Sequence, residues 1–252
     1  CRLVAAASPH CASRWLIKID IQRFFVSISE IDCYRVFRSL GYQPLISLEL
    51  SRLCTRVSPL TSLYRSEKWF RKAPLCTSNI RSYASIRLGH LPQGAATSPM
   101  LANLVMREAD QLLTALADCY GLTYTRYADD LTFSTASSEF DRNNARRTIH
   151  DVYSVLRRFG FSPNLAKTTI SSPRSRKIIL GLQVNLETPR LTRSFKRKMR
   201  MHFYYLEHEE VGPLKHAERR GFSAVVGMRN HLMGLIAYAA QIEPEYGQSL
   251  KI

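Results

Sequence analysis

The sequence predicts an α+β fold, and three observations support this prediction. Segments rich in β-branched and aromatic residues are interspersed with segments whose apolar residues recur at helical spacing, without an internal repeat. The chain has 252 residues, 45% of them hydrophobic, which suffices for one large domain or two closely packed ones. No apolar run reaches the roughly 18 residues that a membrane-spanning helix requires, so we expect no membrane partner.

The helices are predicted from their start and stop signals. Ser29 begins one helix and Gly41 ends it, whereas Ser98 is the expected N-cap of a long amphipathic helix with Pro99 as its first residue. The predicted helices cover residues 29–40, 45–56, 99–120, 140–159, 194–209 and 223–240.

The predicted strands are short apolar or alternating segments. The first is the strongly apolar segment Trp15–Ile28, and the others cover residues 83–88, 122–134 with a bend in the middle, 165–171 and 178–185. Residues 58–82 are expected to form a loop. A boundary near Thr188–Pro189 divides the chain into residues 1–188 and 189–252.

Two adjacent acids, Asp129 and Asp130, lie in the middle of the predicted strand pair at 122–134. Adjacent side chains on a strand point to opposite faces, so these carboxylates can converge only at a turn. Aspartate is disfavoured in strands, and hard oxygen ligands suit Mg²⁺. The pair therefore predicts a metal site at a hairpin tip; the alternative is an ordinary Asp-Asp turn.

Asp20 is the one carboxylate in the first predicted strand. A buried carboxylate must be paired or bind a metal, so Asp20 either pairs with Lys18 or Arg23 or joins the other two acids. Three carboxylates are enough to hold two Mg²⁺ ions with a substrate phosphate between them, an arrangement that activates an attacking oxygen and stabilises a leaving one.

A turn at Pro92-Gln93-Gly94 precedes the long helix. It presents the long amide of Gln93, and the small residues from Gly94 to Ala96 allow a base or sugar to approach the backbone closely. The alternative is an ordinary loop before a helix.

Together, these three segments resemble the palm motifs of reverse transcriptases. The Asp20 strand is similar to motif A, Leu91-Pro-Gln-Gly-Ala-Ala-Thr-Ser-Pro99 to motif B, and Tyr127-Ala-Asp-Asp130 to motif C. The segments Arg126–Ser134 and Gln93–Leu104 resemble those of bacterial retron-type enzymes in particular. The resemblance covers about three-quarters of the chain, roughly from Ala7 to Asn185.

The resemblance implies a role for several residues. Asp20, Asp129 and Asp130 would hold two Mg²⁺ ions, and Lys167 would donate a proton to the departing pyrophosphate. The alternative for Lys167 is a solvated loop lysine. The predicted nucleotide-binding residues are Ile21, through its carbonyl, Phe25, Gln93 and Gly94.

Phe25 would exclude the 2′-hydroxyl of a ribonucleotide; the alternative is a core phenylalanine, as expected of either Phe24 or Phe25. Gly181–Asn185 resembles the hairpin that grips the primer.

The resemblance further implies a right-hand polymerase palm with part of the fingers and an α-helical thumb. Residues 1–188 would form fingers and palm, and residues 189–252 the thumb. Because the chain begins at Cys1, we expect an N-terminal fingers segment to be missing. The expected reaction is RNA-templated extension of a primer 3′-hydroxyl with deoxynucleotides, dominated by electrostatic stabilisation.

Two family elements differ in this chain. Retron-type enzymes usually carry Asn-Ala-x-x-His before motif A, where this sequence has Ala6 in place of the asparagine and keeps His10. They also usually carry Val-Thr-Gly, where this sequence has Ile179-Leu180-Gly181. Both elements are associated with recognition of the cognate retron RNA. The predicted class of enzyme therefore includes retron-like defence enzymes as well as retron enzymes.

A net charge of +16 predicts a polyanionic partner. Six cations fall within eleven residues without an acid, and the predicted nucleic-acid-binding residues among them are Arg193, Lys196, Arg197 and Arg200. Arg174, Arg176 and Lys177 form a second basic cluster. The alternative is that both runs are solvated faces.

The remaining features complete the prediction. Six scattered cysteines without a Cys-x-x-Cys pair predict free thiols in a reducing cytoplasm, and His202 and His208 are expected at the surface. The expected partners are structured RNA, an RNA–DNA duplex, deoxynucleotides and an effector protein in antiviral defence. The alternatives are a group II intron-like reverse transcriptase, a template-independent or protein-primed polymerase, and a non-catalytic nucleic-acid-binding protein.

Overall fold

The computed structural model describes residues 2–57 and 88–250, which form two compact units. The predicted loop at 58–82 and most of the predicted strand at 83–88 lie outside the described residues. The described elements combine helices with strands in two sheets, so the predicted mixture of α and β structure is confirmed. Among these residues, no helix is both long enough and apolar enough to cross a membrane.

The first unit contains residues 17–133 and 140–170. Its sheet has the strand order β2-β3-β1-β4, with β1 at Trp15–Asp20, β2 at Thr123–Tyr127, β3 at Asp130–Thr135 and β4 at Thr169–Ser171. Its helices are α2 at Phe24–Ser27, α3 at Glu30–Ser39, α4 at Pro44–Cys54, α5 at Ser98–Cys119 and α6 at Arg142–Arg158. α5 packs on α6, and α3 packs on α4 and α5.

The core of this unit lies between the sheet and the long helices. Ile17, Ile19, Leu131 and Phe133 from the strands are almost completely buried, as are Met106, Leu113 and Leu156 from α5 and α6. Alternate residues of a strand and every third or fourth residue of a helix face the same side, so these apolar positions form one interface. This interface fixes β1 and β3 side by side.

Two predicted boundaries in this unit are wrong. The first strand ends at Asp20 rather than Ile28, because Arg23 adopts a left-handed conformation (φ 53°) and the short helix α2 follows. Ser98 is the first residue of α5 rather than its N-cap; its hydroxyl donates to the carbonyl oxygen of Pro92 at 2.7 Å, which fastens the preceding turn to the helix. Ser29 does cap α3, as predicted.

The second unit contains residues 2–16, 134–139 and 171–250. Its helices are α1 at Arg2–Ala7, α7 at Arg193–Glu207, α8 at Gly212–Arg219, α9 at Val225–Ile242 and α10 at Pro244–Ser249. Its antiparallel sheet consists of β5 at Ile178–Ile179, β6 at Leu182–Gln183 and β7 at Arg190–Leu191. The two-residue turn between β5 and β6 places Leu180 and Gly181 at positive φ.

Within this unit α7 packs on α8, α8 packs on α9, and α9 packs on α10. The prediction that His202 lies at the surface is wrong: its side chain is buried and its Nδ1 lies 2.9 Å from Nε2 of His216 on α8. Burial lowers the pKa of His202 to about 4, so the imidazole is neutral at physiological pH. This pairing is not predictable from a local pattern, because the two histidines lie on different helices and α8 is absent from the predicted helices.

Candidate active site

The two adjacent acids lie at the hairpin tip, as their spacing predicts. β2 ends at Tyr127, Ala128 and Asp129 form the turn, and Asp130 is the first residue of β3. Ala128 takes the left-handed conformation (φ 53°) that reverses the chain over so few residues. Both carboxylates are half-buried.

Asp20 lies beside this turn because β1 and β3 are neighbours in the sheet. Asp20 is the last residue of β1, and the next residue, Ile21, donates its N–H to the carbonyl oxygen of Asp129 at 2.9 Å. The main chains that carry Asp20 and Asp129 are therefore in direct contact, although 109 positions separate them in the sequence. The pairing of β1 with the hairpin therefore brings the main-chain segments of the three predicted acids together.

Two side chains from the segment after α6 hold the carboxylate of Asp20. Asn164 donates from Nδ2 to Oδ1 at 2.9 Å, and Lys167 donates from Nζ to Oδ2 at 3.0 Å. The backbone N–H of Asn164 also donates to the carbonyl oxygen of Asp20 at 2.8 Å. The structure thus places Lys167 at the carboxylates, and it adds Asn164, which the sequence analysis missed.

The negative charges of the three carboxylates repel one another, and nearby lysines compensate for this repulsion only in part. The pKa of Asp130 is raised above its usual value, mainly by burial; Asp129 and Asp20 raise it further, whereas Lys18 and Lys167 lower it. Conversely, the hydrogen bond and charge of Asp20 raise the pKa of Lys167. A cation placed among these carboxylates would relieve their repulsion.

In the described part of the chain, no three His, Cys, Asp or Glu side chains are already arranged as the ligands of one metal ion. The cation that contacts the carboxylate of Asp20 is the ammonium of Lys167, whose Nζ lies 3.0 Å from Oδ2. The side chain of Lys167 is 65% exposed, so it can swing away without disturbing the core. The three carboxylates supply the hard oxygen ligands that Mg²⁺ prefers, and the donor set fits that metal.

A buried arginine holds the turn that carries the acids. The side chain of Arg126 is 7% exposed and forms two hydrogen bonds with Asp110 of α5, from Nε to Oδ1 at 2.8 Å and from Nη2 to Oδ2 at 2.6 Å. Its Nη1 donates to Oδ1 of Asn103 and to the carbonyl oxygen of Ala128, both at 3.0 Å. Arg126 thus ties the left-handed turn residue to the long helix.

The network of Arg126 with Asp110, Asn103 and Ala128 was not predicted from the sequence. The signal that could have found it is an arginine in the strand next to the paired acids, together with an aspartate in the middle of the long helix that precedes this strand. Tyr124 also donates to Oδ1 of Asp110, at 2.9 Å, so that one carboxylate accepts from two residues of β2.

The predicted nucleotide-binding residues lie on two connected segments. Phe24 is a core residue, whereas Phe25 is half-buried with its ring centroid 5.4 Å from that of Phe24. Gln93 and Gly94 form an exposed turn, with Gly94 at φ 93°. Leu91, two residues before Gln93, donates its N–H to the carbonyl oxygen of Ile28 at 3.1 Å, so this turn starts at the end of the segment that carries Phe25.

The predicted nucleic-acid-binding residues lie on α7. Arg193, Arg197 and Arg200 are exposed. Lys196 is half-buried: its Nζ lies 2.5 Å from Oε2 of Glu243 and 4.7 Å from the ring centroid of Tyr246. The ion pair reduces what Lys196 can contribute to binding a polyanion, whereas the three arginines remain accessible.

The comparison with known proteins identifies the family. The model for reverse transcriptase (RNA-dependent DNA polymerase) matches residues 3–184. The chain belongs to the reverse transcriptase family. This membership confirms the polymerase palm that the three motifs predicted, and the matched region includes all three carboxylates.

Curated reverse transcriptases of retrons are similar over nearly the whole chain. The chain is 30% identical to the retron Ec86 reverse transcriptase of Escherichia coli over 246 residues, which are 96% of this chain and 65% of the relative. It is 31% identical to the retron Mx65 reverse transcriptase of Myxococcus xanthus, over 97% of this chain and 50% of the relative. The retron Ec73 reverse transcriptase of E. coli is also 31% identical, over 93% of this chain and 64% of the relative.

The predicted resemblance to retron-type reverse transcriptases is therefore confirmed. The chain spans about half to two thirds of the length of these relatives.

Proposed function

We propose that this chain catalyses RNA-directed DNA synthesis, by extending a primer 3′-hydroxyl with deoxynucleotides on an RNA template. The observation that carries the proposal is the junction of β1 with the hairpin tip, where Ile21 donates to Asp129 and places Asp20 beside the paired acids. Membership of the reverse transcriptase family supports the reaction class.

Asp20, Asp129 and Asp130 would hold two Mg²⁺ ions, and divalent ions are used generally in this family. When bound, such ions neutralise the charge that develops on the transferred phosphoryl group. The chain's own contribution is orientation. Asn164 fixes one oxygen of Asp20 at 2.9 Å, and Arg126 fixes the Ala128 carbonyl that precedes the paired acids.

Lys167 supplies the proton. Its ammonium is stabilised by Asp20, which raises the pKa of the lysine, so it remains protonated at physiological pH. Release from Asp20 and a turn toward the leaving group would place an acid where negative charge accumulates. Phe25, half-buried against Phe24, would exclude the 2′-hydroxyl, while Ile21, Gln93 and Gly94 would complete the nucleotide site.

Residues 1–188 are proposed to act as fingers and palm, and residues 189–252 as a thumb whose exposed Arg193, Arg197 and Arg200 contact the phosphate backbone, with a smaller contribution from Lys196. The similar proteins are retron reverse transcriptases, which favours the retron type over the group II intron-like alternative. The partners would accordingly be a structured RNA in the cytoplasm and an effector protein, in antiviral defence.

Primer extension tests the proposal. Wild-type protein is incubated with a primed RNA template, Mg²⁺ and four deoxynucleotides, and the product is sequenced. We expect a copy of the template from wild type and none from Asp129→Asn, which removes one charge from the hairpin tip. Product of unrelated sequence, or product formed without template, would support the template-independent alternative instead. Extension by Asp129→Asn at the wild-type rate would refute the proposed site.

The cognate RNA is sought separately. The protein is purified from its native host, and the nucleic acid that accompanies it is sequenced. A single structured RNA joined or paired to a short DNA would agree with a retron-type partner, whereas a random sample of cellular RNA would argue against it.

A further inference from the structure

The loop of residues 172–176, between β4 and β5, is held by a buried lysine. Lys177 is 1% exposed, so the alternative in which the whole second basic cluster is a solvated face does not hold for this residue. Its Nζ donates to the carbonyl oxygens of Ser172, Pro173 and Ser175 at 3.2, 3.3 and 3.4 Å. A buried ammonium is costly unless its hydrogen bonds are satisfied, and here the acceptors are three carbonyls of one short loop.

Asn185, just after β6, fixes the same loop from its other side. Its Oδ1 accepts from the backbone N–H of Lys177 at 2.9 Å, and its Nδ2 donates to the carbonyl oxygen of Ser175 at 3.1 Å. Ser175 also donates its N–H and its hydroxyl to the carbonyl oxygen of Ser172, at 3.0 and 2.7 Å. The backbone of five residues is therefore set by a dense group of hydrogen bonds.

The fixed loop presents two arginines to solvent. Arg174 and Arg176 are exposed, while the serines and proline between and before them supply the carbonyls that Lys177 binds. The sequence from Ser171 to Leu186 contains no Asp or Glu, so three cations lie within four residues without an acid of the same segment. Burial lowers the pKa of Lys177, whereas its three carbonyl acceptors favour the protonated amine, whose charge adds to the positive potential of the loop.

We infer that the 172–176 loop is a preorganised binding site for nucleic-acid phosphates, engaged through Arg174 and Arg176. Guanidinium groups bind phosphate oxygens in pairs of parallel hydrogen bonds, and binding is tighter when the backbone that carries them is already ordered. A nucleic acid is favoured over an acidic protein because the chain belongs to a nucleic-acid polymerase family. The inference rests on the proposed function and adds a contact surface outside α7.

Equilibrium binding of the full chain to a fluorescent RNA–DNA hybrid tests this inference, without nucleotides so that no synthesis occurs. The variant is Arg174→Gln/Arg176→Gln. Its control is Arg157→Gln/Arg158→Gln, which removes two exposed arginines from α6 and changes the net charge equally. Because each lost phosphate contact reduces the slope of log K against log salt by about 0.9, we expect the loop variant to lose nearly two units of slope. At 0.1 M salt its affinity should fall roughly tenfold or more.

The role of Lys177 is tested with Lys177→Met, which keeps the length of the side chain and both arginines. If preorganisation matters, affinity should fall several-fold while the salt slope stays near the wild-type value, in protein shown by thermal unfolding to be folded. Should Lys177→Met fail to fold, the arginine variant decides the inference alone.

Equal affinity and equal salt slope in the loop variant and its control would overturn the inference. Primer extension is measured on the same wild-type preparation. If wild type extends a primer and the loop variant binds the hybrid as tightly as wild type, phosphate binding by the loop is refuted. The proposed function is then unaffected. Wild type that neither binds the hybrid nor extends a primer refutes both.

Discussion

Asp110→Asn should both destabilise the protein and slow synthesis, although Asp110 lies on a helix and is not one of the three carboxylates proposed to be catalytic. The variant keeps the size of the side chain but leaves the guanidinium of Arg126, which is 7% exposed, without its charged partner. Loss of one partner of a buried ion pair costs about 3–5 kcal/mol. Because Asp110 is itself 29% exposed and Arg126 keeps Asn103 and Ala128, we expect about 2–3 kcal/mol here.

This loss corresponds to a fall in Tm of about 4–12 °C for a chain of this size. The Ala128 carbonyl loses a rigid donor, so the turn that carries the acids is less well ordered, and kcat for primer extension should fall by about tenfold at a temperature where the variant is still folded. KM for the deoxynucleotide should change much less. The assays are thermal unfolding and steady-state extension.

The matched control is Asp118→Asn, an exposed aspartate of the same helix. A thermodynamic cycle with Arg126→Met and the double variant should give a coupling energy of about 1–3 kcal/mol between the two side chains. If Asp110→Asn unfolds at the same temperature as Asp118→Asn and extends primers at the wild-type rate, the Arg126 network does not hold the turn.

Three further predictions concern sugar selection and the effect of pH on stability. Phe25→Ala should raise ribonucleotide incorporation by roughly tenfold or more, as about 1.4 kcal/mol of discrimination is lost, measured by competition between deoxynucleotides and ribonucleotides. Asp130→Asn should raise Tm at neutral pH while abolishing synthesis. The raised pKa of Asp130 means that the folded state binds its proton more tightly than the unfolded state, so the carboxyl lowers stability as pH rises. His202→Gln should reduce the loss of stability on acidification. The folded-state pKa of about 4 lies below the ordinary 6.5, so the unfolded state gains protons first as pH falls through this window.

Each of these variants has a control in the chain. Phe37→Ala removes a half-buried phenylalanine of α3, Asp118→Asn removes an exposed charge, and His150→Gln removes a histidine whose side chain is 80% exposed. Unchanged sugar selectivity in Phe25→Ala would reject the proposed role of Phe25 in excluding ribonucleotides. A lower Tm for Asp130→Asn at neutral pH, or a His202→Gln acid profile equal to that of His150→Gln, would reject the corresponding electrostatic argument.

The three carboxylates were predictable from the sequence because two of them violate a local preference and the third is adjacent to one of these. Asp20 and Asp130 are aspartates in strands otherwise composed of residues that suit strands, and paired acids at a strand boundary predict a turn. The contact between Asp20 and the turn was predictable only through the order of the motifs. The pairing of β1 with β3, which creates the contact, is a long-range property that no local pattern encodes.

The supporting residues were harder to predict because their partners are distant in the sequence. Arg126 and Asp110 are 16 positions apart, and Asn164 and Asp20 are 144 positions apart. In the sequence, Lys177 is one of three neighbouring cations. Its burial, and the loop carbonyls that accept from its Nζ, are seen only in the structure. The short helices α8 and α10 were missed although each has a proline in its first turn, which is a usable start signal.

Binding of Mn²⁺ is a direct test of a metal site formed by Asp20, Asp129 and Asp130, because Mn²⁺ substitutes for Mg²⁺ at oxygen ligands and is detected by electron paramagnetic resonance. The protein is titrated with Mn²⁺ in the presence of an RNA–DNA hybrid and a deoxynucleotide. We expect about two bound ions for wild type, and fewer ions or much weaker binding for Asp20→Asn, Asp129→Asn and Asp130→Asn, with hybrid affinity unchanged. Wild-type stoichiometry and affinity for Mn²⁺ in Asp20→Asn would contradict a site shared by the three carboxylates.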